Sequence, residues 1–186
     1  MSGHSSVMVD EVLEYLAPDR PNQLLVDATL GEGGHSVLFL DRFPKLRVVG
    51  VDADARILAV ARERLRVYEN RVTVYNEWFD HFFEHYPVRR APDRILMDLG
   101  VSMYHYRTRG RGFSFAEDEP LDMRLGGEED ETAAELIGRL SEEELADLIY
   151  RYGEERYSRR IARAIAGREV RTTAELADIV SRAVPA

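Results

Sequence analysis

The chain contains no cysteine. That excludes disulfides, thiolate metal sites and a cysteine nucleophile, and it agrees with a cytoplasmic protein. It also lacks any apolar run approaching the ~18 to 20 residues needed to span a bilayer. The opening stretch, MSGHSSVMVDEVLEYL, has no basic leader followed by an apolar segment, so no secretory signal and no membrane association are expected. A surplus of positive charge is missing too. The net charge of -9 argues against non-specific coating of nucleic acid, although it leaves room for a local basic face. What is present suits a packed core: 186 residues, 45% hydrophobic and 32% charged, enough for one ordinary domain or somewhat more.

The chain changes character near residue 117. Before it, apolar β-type runs at 23–27, 47–52, 72–75 and 94–99 alternate with helical periods, one through Val37, Leu38, Leu40 and Phe43, another through Ile57, Leu58, Ala61 and Leu65. Strands alternating with helices predict parallel βαβ units. After it no strand is readable. Three capping boxes stand there instead, Thr132–Glu135, Ser141–Glu144 and Thr172–Glu175, each followed by an apolar helical period. The acidic stretch at 117–144 reads as solvated helix starts and loop. The expected architecture is α/β: a Rossmann-like domain over residues 1–105 and a helical second domain over 106–186. An open doubly wound sheet normally has about five strands or more. Only four are readable here, so either the sheet is small or the chain stops before the fold is complete.

The stretch VDATLGEGGHSVLFL, residues 26–40, reads as strand, glycine turn and helix. It lacks the Lys-Ser/Thr of a phosphate loop. Gly31 and Gly33 fit the start of G-x-G-x-x-G, but Ser36 takes the third position. Glu32 inside the turn and Asp27 at the strand end set negative charge where a pyrophosphate would bring more. A ligand with a cationic centre and no phosphates suits these residues better, and S-adenosylmethionine is such a ligand. Glycines let the backbone approach it closely, and a carboxylate meets its ammonium group. Asp52 ends the next strand 21 positions after Gly31, where an acid accepts both ribose hydroxyls. Its alternative role is to cap the next helix, and Asp54 stands ready for that. Beyond the third strand, Phe79 and Trp78 are both candidates to cover an adenine face, or to pack in the core. Asp98 ends the fourth strand, where open α/β sheets bind ligands.

The stretches HSSVMVDEV, DATLGEGGHS, DLGVS, RGFSF, PLDMRL and YGEERYSRRIARAI follow one another in this order. Together they resemble the bacterial small-subunit ribosomal RNA cytosine-N4 methyltransferase family, called RsmH or MraW, over nearly the whole chain. The resemblance implies an adenosylmethionine-dependent Rossmann-like domain interrupted by a helical one, with methylation of N4 of one cytidine. The partner it implies is small-subunit ribosomal RNA or the assembled small subunit. At the cofactor site it falls on Gly33, Gly34 and His35, on Asp52, Phe79 and Asp98, and on His105, where the family usually has glutamine. Met103, Tyr104 and His105 depart from the family pattern, which bears on the last cofactor contact and the shape of the methyl site. The family also returns to the sheet in a later stretch with no counterpart here, so the chain is expected to be the N-terminal portion of such an enzyme. A cofactor-binding protein without turnover, and an amine methyltransferase acting on another nucleic acid, are the competing readings.

The cytosine amine is a poor nucleophile because its lone pair delocalises into the ring. An acceptor bonded to one N–H turns that lone pair toward the methyl group, and Asp98 is the candidate for it; holding the cofactor's methionine end is its alternative role. For RNA contact, Arg109 and Arg111 (with Arg107) precede Phe113. Arg156, Arg159, Arg160 and Arg163 recur at helical spacing opposite Ile161 and Ile165. Phe113 and Phe115 are placed either to stack on a base or to be buried. HFFEH at 81–85 matches an inverted zincin pattern, but Pro87 cuts the helix short and no metal site is expected. An unpaired strand edge and a bare sheet face predict self-association, most simply as a homodimer.

Overall fold

The computed structural model describes residues 7–127 and 130–185. Residues 4–6 of the HSSVMVDEV stretch and 128–129 of the acidic run lie outside the described residues. The chain forms two compact units. The first runs through Tyr104 and takes in 125–127; the second takes in His105–Arg124 and the chain after residue 127.

The first unit is built on four parallel strands, β1 (Leu24–Asp27), β2 (Arg47–Asp52), β3 (Val72–Asn76) and β4 (Arg94–Leu96), in the order β3-β2-β1-β4. Every residue of β1 is buried, as expected for a central parallel strand covered on both faces. Val26 sits between Val49 of β2 and Ile95 of β4. Helix α1 (Val9–Tyr15), α2 (Gly34–Arg42) and α3 (Ala55–Leu65) cover one face, where Leu25, Val48 and Leu96 meet Phe39, Leu40, Leu58 and Ala61. The other face carries Leu24, Val26, Val49 and Val51 against α4 (Phe79–Glu84), through Phe82 and the Phe83 and Tyr86 rings.

The chain therefore builds outward from β1 through β2 to β3 on one side, crosses the opposite face by α4, and returns to pair β4 with the other side of β1. That strand order is the first half of a doubly wound Rossmann-like sheet. Its reversal at β1 opens a crevice beyond the carboxyl ends of β1 and β4.

β4 is shorter than the 94–99 run suggested. Its partner β1 ends at Asp27, and past Leu96 the chain leaves the ladder: the Asp98 amide bonds the Thr29 hydroxyl at 2.8 Å. Met97 and Leu99 stand exposed. The start of β4 is clamped by Asp93, whose carboxylate accepts from the Leu24 amide (2.8 Å), Arg20 (2.8 Å) and Arg90 (2.6 Å). These bonds, the Leu24 amide foremost, hold its carboxyl down at about 2.

A short helix, α5 (Met103–Arg107), spans the division between the units. In the second unit α6 (Ala133–Arg139), α7 (Glu142–Gly153) and α9 (Thr173–Ala183) start at the three capping boxes, each with both reciprocal bonds formed. Helix α8 (Ser158–Ile165) lies between α7 and α9 in sequence and packs on both. Leu121, Leu145, Ile161, Ile165 and Val170 form the core. The only β pairing among the described residues here is an isolated bridge between Pro120 and Thr172.

Candidate functional site

The glycine turn follows β1 directly. Gly31 and Gly33 have φ of +54° and +78°, a left-handed conformation that disfavours a side chain. Gly33 caps the start of α2. Behind the turn Asp27 is only 2% exposed, and its Oδ2 accepts a 2.6 Å bond from the Ser36 hydroxyl. Burial pushes the Asp27 carboxyl up to about 6; the Ser36 bond opposes that rise without cancelling it. The serine at the third glycine position is thus the internal partner of the strand-end acid.

Asp52 ends β2 beside the turn. Its Oδ2 accepts the Gly31 amide at 2.8 Å and its Oδ1 the Asp54 amide at 2.9 Å. The helix-capping role falls to Asp54, which accepts from the Arg56 amide at 2.9 Å. Asn76, opposite Asp52 in the β2–β3 register, donates to the carbonyls of Asp52 (3.0 Å) and Ala53 (2.9 Å). Asp98 reaches the same turn from the other side, since its amide bonds Thr29 while its side chain stays exposed. Gly31, Asp52 and Asp98 are thereby tied to one loop at the carboxyl end of the sheet.

The His35 ring nitrogen Nε2 lies 2.9 Å from the Val7 carbonyl. Phe79, the first residue of α4, is half-buried against the Phe82 side of the sheet, whereas Trp78 is exposed. Residues 26–36 hold two carboxylates, Asp27 and Glu32, and no lysine or arginine, and the nearby Asp52 and Asp98 are also acidic. A cationic or neutral ligand suits that end of the sheet; a pyrophosphate does not.

The family model for the MraW methylase family matches residues 1–186. The chain belongs to the MraW methylase family. It is 50% identical to a ribosomal RNA small subunit methyltransferase H of Treponema denticola over 98% of this chain and 59% of that protein. The namesake proteins of Borreliella burgdorferi and Thermotoga neapolitana are 41% and 42% identical, again over 98% of this chain and over 64% and 62% of theirs. The chain spans less than two thirds of the curated relatives it matches.

In this MraW-family chain the remaining site candidates lie in the second unit. His105 is buried there, its ring 5.2 Å from that of Phe113. Arg111 is 4% exposed; it donates to the Arg124 carbonyl at 2.6 Å, with its guanidinium 5.7 Å from the Phe113 ring centre. This corrects its reading as a surface phosphate contact, because its charge is spent inside the loop that it braces. Phe113 is accordingly packed between two side chains, while Phe115 is 81% exposed. Arg109 is exposed and pairs with Glu117 at 2.9 Å.

The arginine stripe is also corrected. Helix α8 begins at Ser158, so Arg156 precedes it and lies over the Tyr157 ring at 4.7 Å. Arg159, Arg160 and Arg163 remain on the exposed side of α8, opposite buried Ile161 and Ile165. In α4, His81 bonds Glu77 at 2.7 Å and its ring lies tilted against that of His85, with the ring centres 4.4 Å apart. Sequence reasoning missed Thr29, Ser36 and Asn76 as the residues that fix the turn and the acids. Asn76 alone had a visible signal, an amide directly after the apolar run 72–75.

Proposed function

We propose that the chain carries the cofactor pocket of an S-adenosylmethionine-dependent methyltransferase that acts on N4 of a cytidine in small-subunit ribosomal RNA. The carrying observation is the Gly31–Asp52 bond, set at the carboxyl ends of β1 and β2 in a loop without lysine or arginine. The donor set fits the cofactor: a carboxylate for the ribose diol, glycine backbone for close approach, and acidic surroundings for a cationic ligand. The names of the Treponema, Borreliella and Thermotoga relatives support the ribosomal RNA substrate.

When bound, the cofactor supplies an electrophilic methyl group on a sulfonium. Asp52 holds the ribose hydroxyls. Gly31, Gly33, Gly34 and His35 would hold the methionine portion and Phe79 would cover the adenine; the family resemblance adds His105 as the last contact. Asp98 accepts one N–H of the exocyclic amine and turns the nitrogen lone pair toward the methyl group, so its contribution is orientation. The base must leave its stack to reach such a carboxylate. Arg109, Arg156 and Arg160 attach the RNA, and a ribosomal substrate fits the cytoplasm as the place of work. Among the described residues no helix is long and apolar enough to cross a membrane.

The outer edge of β4 favours two additions. Among the described residues that edge is unpaired, and Ile95, Met97 and Leu99 beside it are exposed. A two-fold homodimer covers it, and sedimentation at micromolar concentration is expected to show the dimer. The same bare edge favours a second reading, cofactor binding without turnover. Tritium transfer from labelled S-adenosylmethionine to small subunits lacking the mark tests the main reading. Label in cytidine N4 supports it; cofactor binding with no label supports the second; label in transfer RNA or DNA overturns the substrate.

A further inference from the structure

The second unit holds a groove of about 320 Å³ between α8 and α9. Four guanidinium side chains line it: Arg160 and Arg163 from α8, Arg168 from the turn that follows, and Arg182 from α9. One carboxylate, Asp178, joins them, and it is already paired with Arg182 at 2.8 Å. Arg163 reaches Glu142 of α7 at 3.2 Å. Arg160 and Arg168 are exposed and have no carboxylate partner among the described residues. The groove is therefore locally cationic in a chain whose net charge is -9.

Helix dipoles explain only part of this. Arg163 and Arg182 sit in the last turns of α8 and α9, where a cation is favoured for its own sake. Arg160 lies in the first half of α8, toward the positive end of that dipole, and Arg168 lies beyond the helix. Arg160 gains nothing from the dipole, and both side chains line the groove. The floor is apolar, through Ile179 of α9. A cationic rim over an apolar floor matches a strand with phosphates along its edge and sugars or bases beneath.

We propose that the α8–α9 groove binds the phosphodiester backbone of single-stranded RNA, with Arg160 and Arg168 as its free phosphate contacts and Arg163 and Arg182 as exchangeable ones. The proposal rests on the reading of the chain as an RNA methyltransferase and adds a docking surface to it. It enlarges the basic surface beyond Arg160 to residues on α9 and in the connecting turn. A phosphate contact displaces the condensed counterions of the strand, so binding here depends on salt.

The test uses the full 186-residue chain and a fluorescein-labelled, mixed-sequence single-stranded RNA, with polyglutamate as a competing polyanion. The pair Arg160→Glu and Arg168→Glu is expected to weaken RNA binding at least about tenfold and to flatten the salt dependence by roughly 0.7 per lost contact. Arg66→Glu, an exposed site of the first unit, serves as the charge control and is expected to change binding less than about twofold. A second pair, Arg160→Gln and Arg168→Gln, keeps the test valid if charge reversal disturbs folding. RNA binding that is absent, or unchanged in both pairs, overturns the proposal. So does equal competition by polyglutamate at equal charge, which would assign the groove to an acidic polypeptide. Cofactor affinity, measured separately by calorimetry, reports on the functional reading: its loss would sink that reading while leaving the groove result intact.

Discussion

The backbone amide of Gly31 donates a 2.8 Å hydrogen bond to Oδ2 of Asp52, so the glycine turn after β1 and the acid that ends β2 form one rigid unit. Replacing Asp52 with Ala removes the acceptor and frees the amides of Gly31 and Asp54. Each charge-assisted bond lost to a ligand is worth about 1.5 to 3 kcal/mol. Calorimetry with S-adenosylmethionine is expected to show affinity falling at least about tenfold. Affinity equal to that of the wild type would remove Asp52 from the pocket.

Asp27 gives a pH-dependent expectation. Burial raises its carboxyl from 3.8 to about 6. Between those values the unfolded chain releases the proton while the folded chain keeps it, so this group lowers stability as pH rises. The penalty is absent below about pH 4 and complete above about pH 6, on the order of 3 kcal/mol. Asp27→Asn keeps an acceptor for Ser36 and cannot ionise. In denaturant titrations it is expected to match the wild type near pH 4 and to exceed it near pH 7. A stability difference that stays constant across that range would refute the assignment.

The sheet and its acids were legible because a buried parallel strand is an apolar run, and Asp27 and Asp52 each interrupt one at its end. The three capping boxes were legible for a similar reason, since both partners lie three residues apart. Ser36 was not: it reads as a failed glycine motif until its burial against Asp27 is seen. Arg111 was not legible either, because its burial depends on the carbonyl of Arg124, set by the path of a whole loop. The spacing of Arg156 with Arg159 and Arg160 matched a helix, yet Tyr157 carries no side-chain cap to mark where α8 begins. Periodicity tells which face residues share but not where the helix starts.

Gly50 packs against Leu30, the residue before the Gly31 turn. A Cβ there would lie 2.6 Å from Cδ2 and 2.8 Å from Cδ1 of Leu30, whose own amide is bonded to the Val51 carbonyl at 2.9 Å. Leu30 is buried and has little room to yield. Gly50→Ala is expected to destabilise the first unit by about 1 to 3 kcal/mol through overpacking. It is also expected to weaken cofactor binding by displacing the turn that carries Gly31. Truncating Leu30 to Ala makes the needed space, so a double-mutant cycle is expected to show the two changes offsetting each other. Strict additivity would mean that the two residues do not clash.

In the second unit Gly112 has the tightest backbone contact. Its φ is +70°, and an added Cβ would meet the Pro120 carbonyl oxygen at 2.5 Å and the Asp122 amide at 2.9 Å. Its amide donates to the Glu119 carboxylate at 3.1 Å, and the 119–121 segment is in turn bonded to Arg171 and Thr173 at the start of α9. The obstacle is backbone, which cannot rotate away as a side chain does. Gly112→Ala therefore combines left-handed strain with a displaced segment, and about 3 kcal/mol or more of lost stability is expected. Amide hydrogen exchange is the suitable readout. Protection is expected to fall in α9 and around Leu121, with β1 and β2 of the first unit retaining theirs. Uniform loss across both units would show that the two unfold as one, and unchanged protection in α9 would show that the 119–121 segment does not anchor that helix.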